Sequence, residues 1–238
     1  MNSIKDQVAV ITGAAGGIGQ ALAIEMARRG AACIALVDFS GQVVQVAREI
    51  NAEVGRVVTI AYRGDTTDPD FRQEVYADFT SKAGVPRICV PAAGITKDAL
   101  AVSMQKKTGR IVLYPIENFR KVVEVNLTAP VYWAMELVAA MAKDRISRGL
   151  KRWQPEEGLQ GAVVFVGSVS SAGNVGQISY SSTKAGLEGA AATLMAEAMY
   201  YGVRCSVIHP GFTDTPMYGQ LGRNTSGLKS LHRPNCNG

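Results

Sequence analysis

The stretch "VAVITGAAGGIG", residues 8–19, runs from a short apolar segment through a glycine-rich turn into a helical pattern. The glycines permit a tight turn, a close approach of backbone to a pyrophosphate, and close packing of the helix on a sheet. A helix that begins near Gly17 also presents unpaired N–H groups and the positive end of its dipole to phosphates. This order of elements predicts a dinucleotide site with contacts from Gly13, Gly17, Ile18 and Gly19.

Short apolar runs alternate with segments of helical length along the rest of the chain. The runs predicted to be strands cover residues 8–12, 33–38, 57–62, 87–94, 161–168 and 204–211. The predicted helices cover residues 17–29, 42–54, 70–83, 118–144 and 180–201. The apolar runs are mostly continuous, which is typical of strands covered on both faces. Repeated βαβ connections of this kind predict an α/β fold, a doubly wound parallel sheet of the Rossmann type.

The length and composition predict one domain. The chain has 238 residues, of which 47% are hydrophobic, so we expect a single dinucleotide-binding and catalytic domain over residues 1–238. Residues 101–116 and 147–160 are longer than the connections that the βαβ pattern needs, and they are predicted to be surface insertions. The tail after Met217 has little periodicity, so we expect the C-terminal part to be shortened or irregular.

Charge and composition exclude several classes of partner. The formal charge is +5, but Lys and Arg are spread along the chain, whereas nucleic-acid binding needs them on one face. No window approaches the roughly 20 apolar residues of a membrane span, and no signal-peptide pattern opens the chain. The cysteines show no metal-ligand spacing, and we interpret Cys33, Cys89 and Cys205 as free buried thiols. We expect a cytoplasmic protein that binds no nucleic acid, no membrane and no metal.

The choice of cofactor depends on Asp38, which ends the second predicted strand 19 residues after Gly19. An acid at this offset accepts hydrogen bonds from the adenosine ribose hydroxyls, and its charge repels a 2′-phosphate. No Lys or Arg lies in the glycine turn or directly follows Asp38. The sequence therefore favours NAD(H) over NADP(H). The alternative is that Asp38 only caps the next helix.

These motifs, with others further along, resemble the short-chain dehydrogenase/reductase family over roughly residues 5–217. The turn at residues 12–19 matches the family's TGxxxGxG. The other matches, in chain order, are Asp65, Ala93 and Gly94, Asn126, Ser168, Tyr180 with Lys184, and the segment "HPGFTDTPM" at residues 209–217. The resemblance implies that Asp65 contacts the adenine and that Ala93, Gly94, Pro210, Gly211 and Thr213 also bind the cofactor.

The pair Tyr180 and Lys184 carries the predicted chemistry, with Asn126 and Ser168 as the other catalytic residues. Four residues make about one helical turn, so both side chains point to the same side of the helix. A free phenol titrates near about 10, and a neighbouring ammonium is expected to lower the Tyr180 pKa. The resemblance implies that Lys184 and Tyr180 also contact the nicotinamide ribose, that Ser168 binds the reacting oxygen, and that Asn126 holds a water that relays protons.

Structural alternatives exist for several of these residues. Ser168 could satisfy a turn at the end of its strand, and Asn126 could mark a kink in its helix. His209 is interpreted as a packed or supporting group, since no acidic or thiol partner is adjacent in sequence. The family commonly has NNAG where this chain has "PAAG" at residues 91–94, which predicts fewer backbone hydrogen bonds near the fourth strand.

The segments "PAAGITKDAL" and "GQISYSSTKAGLEG" resemble the 3-oxoacyl-carrier-protein reductase branch of the family. That resemblance implies an oxidoreductase acting on a 3-oxoacyl or 3-hydroxyacyl thioester of coenzyme A or a carrier protein. Biosynthetic members of this branch usually use NADPH, so Asp38 favours a degradative or NADH-linked version. The alternatives are a dehydrogenase of another secondary alcohol (a sugar, cyclic alcohol or steroid) and a dinucleotide-binding protein without turnover. We expect a homodimer or homotetramer, formed through the helices around residues 118–144 and 180–201.

Overall fold

The computed structural model describes residues 3–211. Its strands are β1 (Val8–Thr12), β2 (Cys33–Asp38), β3 (Thr59–Arg63), β4 (Ile88–Pro91), β5 (Val102–Met104), β6 (Ile111–Leu113), β7 (Gly161–Val166) and β8 (Val203–Ile208). Its α-helices are α1 (Gly17–Arg28), α2 (Gln42–Val54), α3 (Pro69–Ala83), α4 (Ile116–Val123), α5 (Ala129–Ser147) and α6 (Ile178–Ala198). A π-helical turn, Glu124–Thr128, joins α4 to α5.

The main sheet has six strands in the order β3-β2-β1-β4-β7-β8, and every neighbouring pair is parallel. Side chains of β1 and β2 alternate between two apolar cores, one on each face of the sheet. Val10 and Val37 join the core against α3, α5 and α6, while Ile11 and Leu36 join the core against α1 and α2. The doubly wound parallel fold predicted from the continuous apolar runs is therefore confirmed.

The strand order reverses between β1 and β4, and this reversal positions the site. In an open parallel sheet, the loops on either side of such a point diverge and leave a crevice at the carboxyl ends of the strands. The glycine turn follows β1 and residues 92–96 follow β4, so both lie at that crevice. No helix among residues 3–211 is long and apolar enough to cross a membrane.

The insertion at residues 101–116 contains a hairpin that the sequence analysis did not predict. β5 and β6 pair antiparallel, and their outward side chains, Val102, Met104, Ile111 and Leu113, are all more than half exposed. Strands of three residues are too short for a period-two pattern to stand out. Tyr114 secures the base of the hairpin, because its hydroxyl donates to the carbonyl of Lys97 at 2.6 Å and lies 2.8 Å from Ser179 Oγ.

The insertion at residues 147–160 is a surface loop closed around a buried cation. Arg145 is 1% exposed, and its guanidinium meets both carboxylate oxygens of Glu157 at 2.7 and 3.1 Å. The same guanidinium donates to the carbonyl of Lys151. The loop is therefore fastened to the end of α5 through one side chain. The sequence analysis predicted only a surface insertion here. The pairing of Arg145 with Glu157 is visible only in the fold, because the two residues are 12 positions apart.

We expect Glu157→Gln to lower the urea midpoint of unfolding at pH 7, because the amide offers Arg145 one acceptor and one mismatched donor. The Arg145 hydrogen bond holds the Glu157 pKa below its usual range. This stabilisation is therefore present above the unfolded carboxyl pKa and disappears as pH falls through the folded pKa. The difference from wild type should shrink as the pH falls below the usual carboxyl range. Glu156→Gln is the matched control, and an equal loss in both variants would contradict the assignment.

Candidate active site

An open cavity of about 440 Å³ lies at the crevice, lined by residues that follow β1, β2, β4, β7 and β8. It brings together most residues predicted from sequence: Gly13, Gly17, Ile18, Gly19, Asp38, Ala93, Gly94, Ser168, Tyr180, Lys184, Pro210 and Gly211. Asp65 and Asn126 do not line it. Thr213 lies outside the described residues, as does the tail after Met217.

The glycine turn packs directly on the loop after β4. Gly13 has φ +68°, and a Cβ added there would lie 2.7 Å from the backbone nitrogen of Ala93. That nitrogen donates to Thr12 Oγ1 at 3.1 Å, so Thr12 is a supporting residue that the sequence analysis missed. A Cβ added at Gly16 would meet nothing within 4 Å, because here the turn faces open space in the cavity.

These features fit the phosphates of a nicotinamide dinucleotide. The backbone of the turn lines the cavity at Gly16 and Gly17, and α1 begins at Gly17 with its N–H groups beside the cavity. Unpaired N–H groups at the start of a helix are suited to bind anions. Because glycine has no side chain, the backbone at Gly16 and Gly17 can come close to a pyrophosphate.

Asp38 lies at the end of β2 with its carboxylate turned toward the glycine turn. Oδ2 accepts from the backbone nitrogen of Ala15 at 2.9 Å, and Oδ1 accepts from that of Ser40 at 2.8 Å. Gly41 occupies the N-cap of α2 without a side-chain cap, so Asp38 does not cap that helix. Arg63, the sheet partner of Asp38, places its guanidinium carbon 3.6 Å from where a Cβ at Gly41 would lie. The sequence analysis missed this cation because it lies on a neighbouring strand.

Asp65 does not line the cavity, and its carboxylate stabilises its own loop. Its Oδ1 accepts from the backbone nitrogen of Thr67 at 2.9 Å and from Thr67 Oγ1 at 2.7 Å. The backbone hydrogen bond from Thr67 is the main cause of its lowered pKa. The adenine contact that the resemblance implies for Asp65 stays a prediction.

Tyr180, Lys184 and Ser168 meet at the inner end of the cavity. Lys184 is 6% exposed, donates from Nζ to the carbonyl of Val166 at 2.6 Å, and lies 5.5 Å from the centre of the Tyr180 ring. The Ser168 side chain hydrogen-bonds the Tyr180 hydroxyl. Ser168 Oγ also accepts from the backbone nitrogen of Ser170 at 3.1 Å. Ser168 therefore satisfies a turn and contacts Tyr180 at the same time.

The expected lowering of the Tyr180 pKa by Lys184 is not found in this structure. Burial raises the Tyr180 pKa, the Ser168 hydrogen bond partly offsets that rise, and the charge of Asp98 adds to it. The Lys184 ammonium lies against a backbone carbonyl and over the ring face, so it does not directly contact the phenolic oxygen. Burial lowers the pKa of Lys184 itself to about 8. The phenol is thus protonated at neutral pH, ready to donate.

Asn126 is fully buried within the π-helical turn and clamps the loop after β4. Its Oδ1 accepts from the backbone nitrogen of Ile95, and its Nδ2 donates to the carbonyl of Ile95, each at 2.8 Å. The widened turn and the paired bonds agree with the alternative that Asn126 marks an interruption of its helix. The side chain holds the cavity wall in place; the proton relay implied by the resemblance stays a prediction.

We expect Asn126→Ala to lower the free energy of unfolding by about 2–3 kcal/mol, because it removes two hydrogen bonds to the backbone of half-buried Ile95. Urea unfolding followed by circular dichroism measures the change. Gln45→Ala, on the exposed side of α2, is the control for loss of an amide. A loss no larger than that of the control would show that the clamp contributes nothing.

The His209 ring contacts the backbone carbonyl of Ser168. Its Nδ1 lies 3.1 Å from the carbonyl oxygen of Ser168, and its Nε2 lies 3.8 Å from Glu188 Oε1 on α6. This placement agrees with the interpretation of His209 as a supporting group. The carboxylate partner was missed because it comes from a different element.

Comparison with known proteins finds relatives that are similar over most of the chain. The family model for short chain dehydrogenases matches residues 7–226. A 3-oxoacyl-(acyl-carrier-protein) reductase of Thermotoga maritima is 32% identical over 219 residues, covering 92% of this chain and 78% of that protein. The corresponding reductase of Pseudomonas aeruginosa is 30% identical, with the same coverage. A (3R)-3-hydroxyacyl-CoA dehydrogenase of Mus musculus is 29% identical, covering 90% of this chain and 76% of that protein.

A solved structure supports the fold. The crystal structure of a short-chain type dehydrogenase/reductase from Mycobacterium marinum matches with a TM-score of 0.76 and 24% identity, covering 95% of this chain and 80% of that chain. The family model spans the glycine turn, the described residues that line the cavity, and the Tyr180–Lys184 pair. The two reductases each align with 92% of this chain. The chain therefore belongs to the short-chain dehydrogenase/reductase family.

Proposed function

We propose that this oxidoreductase interconverts a 3-oxoacyl thioester and its 3-hydroxyacyl form, with NAD(H) as cofactor. The observation that carries the proposal is the meeting of Tyr180, Ser168 and Lys184 in the cavity that the glycine turn also lines. Family membership gives the nicotinamide dinucleotide and the reaction class. The substrate class rests on relatives described as 3-oxoacyl-(acyl-carrier-protein) reductases and (3R)-3-hydroxyacyl-CoA dehydrogenases.

The chain's own residues handle the proton and the developing charge. Bound nicotinamide dinucleotide supplies the hydride donor or acceptor. In reduction, Tyr180 gives its phenolic proton to the carbonyl oxygen that becomes the 3-hydroxyl; in oxidation it takes that proton back. Ser168 Oγ binds the same oxygen, because its hydroxyl already lies at the Tyr180 hydroxyl. The Lys184 ammonium, whose pKa burial lowers to about 8, lies on the face of the Tyr180 ring and not at the phenolic oxygen, so we assign it to binding the nicotinamide ribose.

The preference for NAD(H) rests on Asp38. Its carboxylate lies beside Ala15 of the glycine turn, where its charge opposes a phosphate on the adenosine ribose. Arg63 is the opposing feature, because a guanidinium near Gly41 can bind a phosphate. We give Asp38 the larger weight since one of its carboxylate oxygens hydrogen-bonds the glycine turn itself.

We expect Asp38→Asn to lower kcat/KM for NADH by about 10–100-fold, the effect of losing a charged hydrogen bond. The same change should raise kcat/KM for NADPH, because the repulsion is gone. Steady-state rates with both cofactors measure the two effects. Asp70→Asn, an exposed carboxylate on α3, is the control. A wild-type enzyme that uses NADPH better than NADH would overturn the assignment and point to Arg63.

The function is tested by following NADH oxidation with acetoacetyl-CoA. Turnover supports the proposed reaction. Tight NADH binding without turnover on this substrate moves the assignment to another secondary alcohol, which a panel of sugars, cyclic alcohols and steroids with NAD⁺ would identify. Absence of turnover on every member of the panel favours a dinucleotide-binding role.

We also propose that residues 1–238 form one domain, and that the protein acts in the cytoplasm as a homodimer or homotetramer. Small residues on the exposed side of α6, including Ala185, Gly189 and Ala192, support the assembly because they allow another helix to approach closely. A Cβ added at Gly189 would meet nothing within 4 Å. Light scattering on the eluting protein measures the number of chains.

A further inference from the structure

A network of three polar side chains holds one wall of the cavity. Gln177 immediately precedes α6, is 7% exposed, and donates from Nε2 to Asp98 Oδ2 at 2.9 Å. Its Oε1 accepts from Asn174 Nδ2, also at 2.9 Å. The backbone nitrogen of Ala99 donates to the carbonyl of Gly176 at 2.9 Å. The loop before α6 is thereby joined to the loop after β4 by both backbone and side chains.

Asp98 fixes the orientation of the Gln177 amide. An ionised carboxylate only accepts hydrogen bonds, so the nitrogen of Gln177 must face it and the oxygen must face Asn174. The amide nitrogen has two N–H groups, and one of them goes to Asp98. Among residues 3–211 no partner receives the other. Gln177 and Asn174 both line the cavity with Ser168 and Tyr180, so Gln177 forms part of the wall of the site.

The environment of the Asp98 carboxylate is unfavourable for stability. Its Oδ1 is buried with no hydrogen-bond partner among the described residues, and burial raises its pKa. An unpaired buried oxygen of this kind destabilises a fold. Its one side-chain hydrogen bond is the bond to Gln177. The arrangement therefore lowers the stability of the fold while it fixes the orientation of the Gln177 amide.

We propose that Gln177 donates its second N–H to the thioester carbonyl of the substrate and so selects 3-oxoacyl thioesters over simple ketones. This inference rests on the proposed function. Gln177 is the N-cap residue of α6 and Tyr180 is the third residue of that helix, and both line the cavity. A 3-oxoacyl thioester has two carbonyls separated by one methylene. One oxygen meets Tyr180 and Ser168, and the other meets Gln177.

A donor fixed in this way discriminates strongly between substrates. A site that hydrogen-bonds a substrate group rejects the analogue without it, because the site's own polar group is then left unpaired. Asn174 and Asp98 act through Gln177 and are positioning residues. Asp98→Asn removes the fixed polarity, because an amide side chain can present either its oxygen or its nitrogen to Gln177.

The test compares two substrates that differ only at the second carbonyl. One is acetoacetyl-N-acetylcysteamine; the other is its thioether analogue, in which a methylene replaces the thioester carbonyl. The two ketones differ in intrinsic reactivity, so the informative quantity is the change in their kcat/KM ratio on substitution. Gln177→Met keeps the size of the side chain and removes the donor. NADH fluorescence verifies that each variant still binds cofactor, and Gln45→Met is the surface control.

We expect Gln177→Met to lower kcat/KM for the thioester by about 10-fold or more and to change that for the thioether analogue by less than about 3-fold. Asp98→Asn should shift the ratio in the same direction by a smaller factor. Equal losses on both substrates, or no loss in Gln177→Met, would overturn the inference while leaving the proposed function. A wild-type ratio in Asp98→Asn would overturn the orienting role. A wild-type enzyme that reduces neither thioester nor analogue overturns the proposed function and this inference together.

Discussion

Tyr180→Phe is expected to reduce kcat for acetoacetyl-CoA reduction by about 10²–10⁴-fold, because it removes the proton donor and leaves the rest of the site in place. The phenol is the group best placed to protonate the substrate oxygen. It lines the cavity, hydrogen-bonds Ser168, and is protonated at neutral pH since burial raises its pKa. Steady-state rates with NADH measure the loss.

The control separates a lost proton from a disturbed fold. Tyr132→Phe removes a hydroxyl from a tyrosine that is 47% exposed on α5, outside the cavity, and should leave kcat unchanged. The NADH dissociation constant of Tyr180→Phe should stay within about 3-fold of wild type, because the phenyl ring still fills the same space. Residual activity above one tenth of wild type would show that another group delivers the proton.

The sequence predicted the sheet well because its main signals are local. A continuous apolar run, such as Ile34 to Val37, identifies a strand buried on both faces wherever it occurs. The glycine turn could be assigned for a similar reason, since strand, glycines and helix are adjacent in the chain. The β5–β6 hairpin was missed because its apolar residues face outward and its strands have three residues each. Neither burial nor periodicity marks it.

The site was predicted by residue type, but the detailed contacts depend on elements distant in sequence. Lys184 is four residues from Tyr180, yet its ammonium contacts the carbonyl of Val166 at the end of β7, which a helical spacing alone cannot indicate. Asn126 was expected to hold a water, while its side chain binds the backbone of Ile95. Gln177 lies in the quoted segment GQISYSSTKAGLEG, but the sequence analysis predicted no role for it, because its bond to Asp98 joins two loops that are distant in sequence.

Gly19→Ala is expected to disrupt both the fold of the glycine turn and cofactor binding. A Cβ at Gly19 would overlap the backbone carbonyl of Gly13, and neither α1 nor the turn can shift cheaply, because the clashing atoms are backbone. Overpacking of this kind costs about 3 kcal/mol. We expect the free energy of unfolding to fall by that amount and the NADH dissociation constant to rise by at least about 100-fold, measured by urea unfolding and NADH fluorescence.

Gly16→Ala separates those two effects. Gly16 has an extended backbone that any residue adopts, and a Cβ there would meet no protein atom within 4 Å, so stability should change by less than about 0.5 kcal/mol. The added methyl would still project into the cavity where we place the pyrophosphate. Gly16→Ala should therefore weaken NADH binding without weakening the fold. Wild-type affinity in this stable variant would mean that the phosphates do not pass over Gly16, and the site for them would have to lie elsewhere along the turn.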